Sequence, residues 1–273
     1  MELLQTIVSI ILLSAAFLLF IVSKNKRVPY LFFPIALCIA LLLSATINPL
    51  LTTEIEITGD IIYIDASHTE RFTQEPFTDD SLSGLILNLN RNGYLPILLR
   101  DFSKEKITES KILFFNAPTK SFTGDEVDFL KQYMLKGGFI VLATGYEDRY
   151  ASLPLLDEFD ISIENIPLGP VPYVEENPEE YENETRFVDS WPIIFNKDTS
   201  RSFYSFNFTW DTDEVTSYHL MVFVEHGNGG LLLISDSRYL LDKNVESIYD
   251  YWPGNILMLK HIFDEFKDYG GEK

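Results

Sequence analysis

Two long apolar runs without charged side chains open the chain. Residues 3–23 and 28–51 contain no Asp, Glu, Lys or Arg, and each supplies the roughly 20 apolar residues needed to cross the hydrocarbon of a bilayer. Buried helices of soluble proteins usually keep a polar face, and a cleaved signal peptide usually begins with basic residues, which are absent here. The pattern predicts a transmembrane hairpin over residues 1–53.

A short basic loop joins the two runs. Residues 24–27 read Lys-Asn-Lys-Arg and hold three of the 21 Lys and Arg of the chain. The positive-inside rule places such a loop in the cytoplasm, so residues 54–273 would lie outside the cell. The sequence therefore predicts an integral protein of the cell membrane, anchored by two N-terminal helices, with an extracytoplasmic C-terminal domain.

Shorter apolar runs alternate with amphipathic stretches in residues 54–273. Strands are predicted at 61–68, 94–101, 111–118 and 138–145, a hairpin at 218–237, and helices at 79–93, 123–137 and 254–271. Thr123 and Glu126 have the spacing of a capping box at the start of the second helix. This order is typical of an α/β domain with a doubly wound, mainly parallel sheet.

Residues 164–216 interrupt this alternation. They are rich in Pro, Glu, Tyr, Phe and Asn, and they contain the strand-like segments WPIIF and SFYSFNFTW. We predict an acidic, aromatic β insertion here. It would serve as a contact surface or pack against its own sheet, since aromatic residues are common in both settings.

The chain is acidic and has one cysteine. With 41 Asp and Glu against 21 Lys and Arg, its net charge is −20, which disfavours binding to nucleic acid. An acidic surface most often aids solubility; binding of cations or of a basic partner is the alternative. Cys38 lies inside the second apolar run, so residues 54–273 can form no disulfide, thiolate zinc cluster or cysteine nucleophile.

Two further sequence features bear on the candidate cofactors and modifications. The Gly-rich turn at 227–230 precedes a strand rather than a helix, unlike a phosphate loop or a dinucleotide fingerprint. No cofactor is therefore expected. Asn183 and Asn207 begin N-x-[ST] motifs, which would be acceptors for glycosylation in an exterior domain.

Polar side chains follow several of the predicted strands. In open α/β sheets ligands bind beyond the carboxyl ends of the strands, although polar residues also end strands that have no ligand. The candidate ligand edge consists of Asp65, Ser67, His68, Asn116, Thr144, Tyr146, Ser235, Asp236 and Ser237.

Three segments carry a resemblance to a known superfamily. The first segment has the layout strand, turn, capped helix, Gly-Gly, strand, and reads ILFFNAPTKSFTGDEVDFLKQYMLKGGFIVLATG. The second and third segments read GGLLLISDSRYLLDKN and GNILMLKHIFDEF. Together they resemble the glutamine amidotransferase-like superfamily over about residues 58–268, apart from 164–216. The nearest branch would be its non-catalytic, membrane-anchored members of unknown function, related to auxiliary domains of gliding-motility ABC transporters. The resemblance implies a flavodoxin-like fold.

The sequence differs from this superfamily at the position of the catalytic residue. Amidotransferases use a cysteine on a strand-to-helix turn with a histidine base. The matching turn here, residues 144–147, reads Thr-Gly-Tyr-Glu. The resemblance therefore implies a domain that binds a ligand or a protein partner without catalysis.

Two alternative functions remain open at this stage. A hydrolase or metal-dependent enzyme would use Asp65, His68 and Asp236, because histidine with carboxylates suits zinc, manganese or iron. A structural subunit of a membrane complex, such as a transporter, would use residues 164–216 for contact. Asp236 also has a simpler interpretation, since an Asp side chain can cap the turn that follows it.

Overall fold

The computed structural model of this chain describes residues 60–68, 78–172, 184–209, 214–247 and 251–269. The chain divides between Thr58 and Gly59, and every described residue belongs to the second unit.

A seven-stranded sheet forms its centre, in the order β2-β1-β3-β4-β11-β10-β9. Its strands are β1 (Ile61–Asp65), β2 (Leu95–Leu99), β3 (Ile112–Asn116), β4 (Phe139–Ala143), β9 (Ser200–Thr209), β10 (Val215–His226) and β11 (Gly229–Ile234). Neighbouring strands are parallel in the part of the sheet ordered β2-β1-β3-β4-β11. In contrast, β10 pairs antiparallel with both β11 and β9.

The sheet is mixed, which corrects the prediction of a doubly wound, mainly parallel sheet. The two longest strands, β9 and β10, are the antiparallel ones. Only residues 227 and 228 separate β10 from β11, and so short a connection can join only antiparallel strands. Gly227 has a φ of +70° at this turn, and a side chain there would meet Leu135 Cα at 2.6 Å.

In the described residues five α-helices accompany the sheet: α1 (Ser83–Arg91), α2 (Lys104–Thr108), α3 (Gly124–Leu135), α4 (Leu153–Asp157) and α5 (Pro253–Tyr269). Alternate strand residues face opposite sides, so the sheet separates two cores. Helices α1 and α5 pack on one side against residues such as Ile64 and Phe114. Helices α2, α3 and α4 pack on the other side against residues such as Phe115 and Leu142.

Helix α3 starts as its sequence predicts. The Thr123 hydroxyl accepts from the backbone N–H of Glu126, and the Glu126 carboxylate accepts in return from the N–H of Thr123. The predicted capping box is therefore confirmed. Val127, Leu130 and Met134 bury the apolar stripe against the sheet.

The described parts of residues 164–216 form antiparallel strands, as predicted, but these strands do not make up one separate insertion, which corrects that part of the fold prediction. Strand β9 belongs to the central sheet, where it pairs with β10. The remaining strands form two small antiparallel sheets, β5 (Ser162–Ile163) with β8 (Ile193–Ile194) and β6 (Gly169–Val171) with β7 (Phe187–Ser190). By joining the larger sheet, β9 gains hydrogen-bond partners for its backbone on the side that faces β10.

The structure also corrects the prediction of a membrane-spanning hairpin. Two predictions that depended on the hairpin are corrected with it: anchoring to the membrane, and the extracytoplasmic location of the C-terminal domain. Among the described residues, no helix combines the length and apolarity required to traverse a bilayer. The longest, α5, has 17 residues and carries charges such as Lys260 and Asp264. The predicted spans 3–23 and 28–51 themselves lie outside the described residues.

Candidate functional site

The predicted ligand edge is distributed along one end of the sheet. Strands β1, β3, β4 and β11 run parallel, so their carboxyl ends share that edge. However, β3 and β4 lie between β1 and β11, which separates Asp65 from Asp236 by three strand spacings, about 14 Å. The two carboxylates cannot share one metal ion.

Asp65, Ser67 and His68 form a compact cluster directly after β1. The Ser67 hydroxyl donates to Asp65 Oδ1 at 2.6 Å, and the backbone N–H of His68 donates to Asp65 Oδ2 at 3.1 Å. The same Oδ2 lies 2.8 Å from His68 Nδ1. Asp65 thus closes a turn of the kind that Asp side chains favour, and it also orients the imidazole ring.

Glu126 completes this cluster from the start of α3. Its Oε2 lies 3.6 Å from His68 Nε2, slightly beyond a normal hydrogen bond. Burial acts to raise the pKa of Glu126, but hydrogen bonds from Thr123 and the proximity of His68 lower it by more, so the net pKa is lowered. The sequence identified Glu126 as a helix cap and did not predict its contact with His68.

Three phenylalanine rings pack against His68, in addition to the two carboxylates. Its ring centroid lies 5.5, 5.7 and 4.5 Å from those of Phe102, Phe115 and Phe122, and its exposed fraction is 0%. Its backbone oxygen accepts from the N–H groups of Thr119 and Lys120. The backbone of His68 therefore connects the loop after β1 to the segment leading into α3.

Asp236 is buried at the other end of the edge. Its Oδ2 accepts from the backbone N–H groups of Val188 at 2.6 Å and Asp189 at 3.1 Å, and its Oδ1 accepts from that of Arg238 at 2.8 Å. Burial raises the pKa of Asp236 although these three amides oppose the rise. The carboxylate thus closes its own turn and ties it to β7.

The two serines beside Asp236 also bond within the protein. Ser235 Oγ donates to the carbonyl oxygen of Leu220 at 3.0 Å. Ser237 Oγ accepts from the backbone N–H of Gly145 at 2.7 Å. This second bond joins the turn after β11 to the turn after β4.

The remaining candidate residues lie nearby but do not converge on one point. Thr144 Oγ1 and both amide atoms of Asn116 are buried without a hydrogen-bond partner in the described part of the chain. Tyr146 is half-buried; its ring lies 5.3 Å from that of Trp191, and the Arg149 guanidinium lies 3.4 Å above it.

Two further predictions concern metals and glycosylation. Within the described ranges, no group of three or more His, Cys, Asp and Glu side chains is arranged to hold a metal ion. Asn207 lies exposed on β9, while Asn183 lies outside the described residues.

Comparisons with known proteins show a likeness in fold only. No family model matches the sequence, and no curated protein matches it. Among solved structures, the chain is similar to the mmIFT52 N-terminal domain, at 20% identity and a TM-score of 0.56, covering 76% of this chain and 97% of that one. This likeness indicates a shared fold.

Two other solved structures are more distant. A putative ThuA-like protein from Bacteroides uniformis is 14% identical over 75% of this chain and 90% of its own, with a TM-score of 0.41. Gan42B, a GH42 β-galactosidase from G. stearothermophilus, is 9% identical over 89% of this chain and 34% of its own, with a TM-score of 0.47.

Proposed function

We propose that residues 60–269 form a binding domain that has the fold of the amidotransferase-like superfamily without its chemistry. This proposal rests on one observation: the three side chains best suited to catalysis are buried and hold loops in place. Asp65, His68 and Asp236 each have an exposed fraction of 0%, and each is engaged in holding a loop. A catalytic group needs to reach the atom on which it acts.

The hydrogen bonds at Asp65 and Asp236 support a structural role for both carboxylates. Asp65 accepts bonds from its own loop, and Asp236 accepts from three backbone amides on two segments. Buried charged groups are retained in proteins when such donors satisfy them. The domain then acts through its surface, as an accessory subunit that engages a ligand or a protein.

A hydrolytic function is the second candidate, and one observation favours it. The 2.8 Å contact between Asp65 Oδ2 and His68 Nδ1 is the arrangement that orients a histidine base in many hydrolases. His68 Nε2 has no hydrogen-bond partner in the part of the chain that the structure describes. Such a base would act only after the aromatic rings around it moved apart.

Turnover and stability of Asp65→Asn distinguish the two candidates. The probes are p-nitrophenyl acetate, p-nitrophenyl phosphate and an aminoacyl p-nitroanilide, assayed with the full chain. For a binding domain, wild type turns over none of them above the buffer blank, and Asp65→Asn unfolds at a lower urea concentration. Turnover by wild type that disappears in a folded Asp65→Asn variant would establish the hydrolase instead.

A further inference from the structure

The pairing of β9 with β10 is irregular near the middle of both strands. His219 is opposite Ser205, and the next regular pair is Val222 with Ser202, so two residues of each strand lie between these pairs. Side chains an odd number of positions apart normally point to opposite faces of a strand. Here the irregularity brings Ser202 and Ser205 to the same imidazole ring. Such irregularities redirect side chains and are frequent beside functional sites.

The two serines hold the imidazole ring of His219. Its Nδ1 lies 2.8 Å from the Oγ atoms of both Ser202 and Ser205, and these two oxygens are 2.7 Å apart. Burial and the positive charge of Lys197 lower the pKa of His219, so the ring is neutral at neutral pH. A neutral imidazole that accepts a hydroxyl hydrogen at Nδ1 carries its own hydrogen on Nε2. The ring then has one N–H donor left for a ligand.

His219 lines a pocket between β10 and the small sheet of β5 and β8. The pocket has a volume of about 310 Å³, and Ile193, Phe195 and Tyr218 contribute apolar walls. The Phe195 ring meets the His219 ring edge-on, with 5.1 Å between the centroids. This volume is at the lower end of the range for ligand sites, so the pocket fits a small molecule.

Two side chains of opposite charge, Glu164 and Lys197, line the same pocket. The ion pairs found among the described residues are all made by other side chains. The carboxylate of Glu164 and the ammonium group of Lys197 therefore do not neutralise each other. A ligand that carries both charges can pair with both groups, whereas a ligand of one sign meets a like charge in the pocket.

We propose that this pocket binds a small zwitterion with an apolar side chain, namely an amino acid or a dipeptide with free termini. The ligand carboxylate would accept from Lys197 and from Nε2 of His219, and the ligand ammonium group would face Glu164. The apolar side chain of the ligand would pack against Phe195. This inference rests on the proposed binding function and specifies the class of ligand.

Ligand-detected NMR titrations with the full chain test this proposal. The probes are L-leucine and L-leucyl-L-leucine, and the controls are L-leucinamide, which lacks the carboxylate, and N-acetyl-L-leucine, which lacks the ammonium group. We expect at least one of the two probes to bind saturably, and both controls to bind at least about tenfold more weakly. Absence of binding by both probes up to about 10 mM, or equal binding of probes and controls, would overturn the proposal.

Charge variants assign the two ends of the ligand. Lys197→Gln should weaken zwitterion binding about tenfold without weakening leucinamide, and Glu164→Gln should do the same without weakening N-acetyl-leucine. The matched controls are Lys136→Gln and Glu105→Gln, at exposed positions outside the pocket, which should leave every affinity unchanged. Equal losses in the pocket and control variants, or no loss in the pocket variants, would overturn the assignment.

The imidazole of His219 reports the position of the bound carboxylate. In NMR titrations, saturating zwitterion should raise the pKa of His219, because a nearby carboxylate favours the charged ring; leucinamide should not. An unchanged pKa would show that the ligand binds elsewhere and would overturn the proposal. The proposed function has a separate test: if the zwitterions fail to bind while the enzymatic probes remain uncleaved, the ligand class is wrong and the non-catalytic function stands.

Discussion

Replacing Asp236 with Ala should strongly destabilise the domain. The carboxylate accepts hydrogen bonds of 2.6, 3.1 and 2.8 Å from three backbone N–H groups, those of Val188, Asp189 and Arg238. A donor that loses its acceptor in a buried position costs about 1–3 kcal/mol. With three donors affected, and water able to reach some of them, the loss should be about 3 kcal/mol of unfolding free energy. That is a large part of the 5–15 kcal/mol that is usual for a domain.

Urea unfolding followed by far-UV circular dichroism measures this loss. We expect Asp236→Ala to lower the urea midpoint with an unchanged slope, as for a change in stability alone. Asp236→Asn keeps one acceptor oxygen, so its midpoint should lie above that of Asp236→Ala. An Ala midpoint equal to that of wild type would refute the role assigned to the carboxylate.

The pH dependence of the stability of wild type and of Asp236→Asn tests the role of Asp236 independently. The pKa of Asp236 is raised above its ordinary value of 3.8 in the folded state, so the folded protein binds more protons than the unfolded chain. The stability from this group is therefore complete below pH 3.8 and is lost as the pH rises through the folded pKa. Relative to Asp236→Asn, wild type should lose stability as the pH rises from about 4; a difference independent of pH would contradict this.

Two other predictions concern the start of α3 and the turn between β10 and β11. The lowered pKa of Glu126 means that its stabilisation is present above its ordinary value of 4.5 and is lost as the pH falls through the folded pKa. In acid titrations monitored by tryptophan fluorescence, Glu126→Gln should therefore lack part of the acid transition that wild type shows, whereas Glu105→Gln should retain it. Gly227→Ala should cost at least about 1–2 kcal/mol, because of the positive φ and the close approach of Leu135, and hydrogen exchange in β10 and β11 should accelerate. Gly124→Ala, with no atom within 4 Å of the added carbon, should change stability by less than about 0.5 kcal/mol; equal effects at the two glycines would contradict the argument.

Local patterns allowed several elements to be predicted from the sequence. The capping box of α3 depends on residues three positions apart, and the apolar stripe of Val127, Leu130 and Met134 repeats with the helical period. The four buried strands β1, β3, β4 and β11 appear as short apolar runs followed by polar residues. Such signals are contained in a few consecutive residues, so they can be recognised without the fold.

At the candidate site, only the contacts between neighbours along the chain could be predicted from the sequence. The sequence predicted that Asp65, Ser67 and His68 lie together, since they are neighbours along the chain. It did not predict Glu126 as the fourth member, because that contact joins residues 58 positions apart and depends on how α3 packs. It also placed Asp236 with Asp65, although the strand order separates them.

The amino-acid sequence by itself thus determined the acidic charge, the absence of a cysteine nucleophile from residues 54–273, and the positions of most helices and strands. Only the tertiary structure decided that β9 and β10 extend the sheet antiparallel, that the backbone of residues 188 and 189 binds Asp236, and that phenylalanine rings pack against His68. The physical reason is that helix caps and hydrophobic periodicity are local, whereas strand order, register and burial depend on contacts between distant residues. Those contacts form only when the whole chain packs.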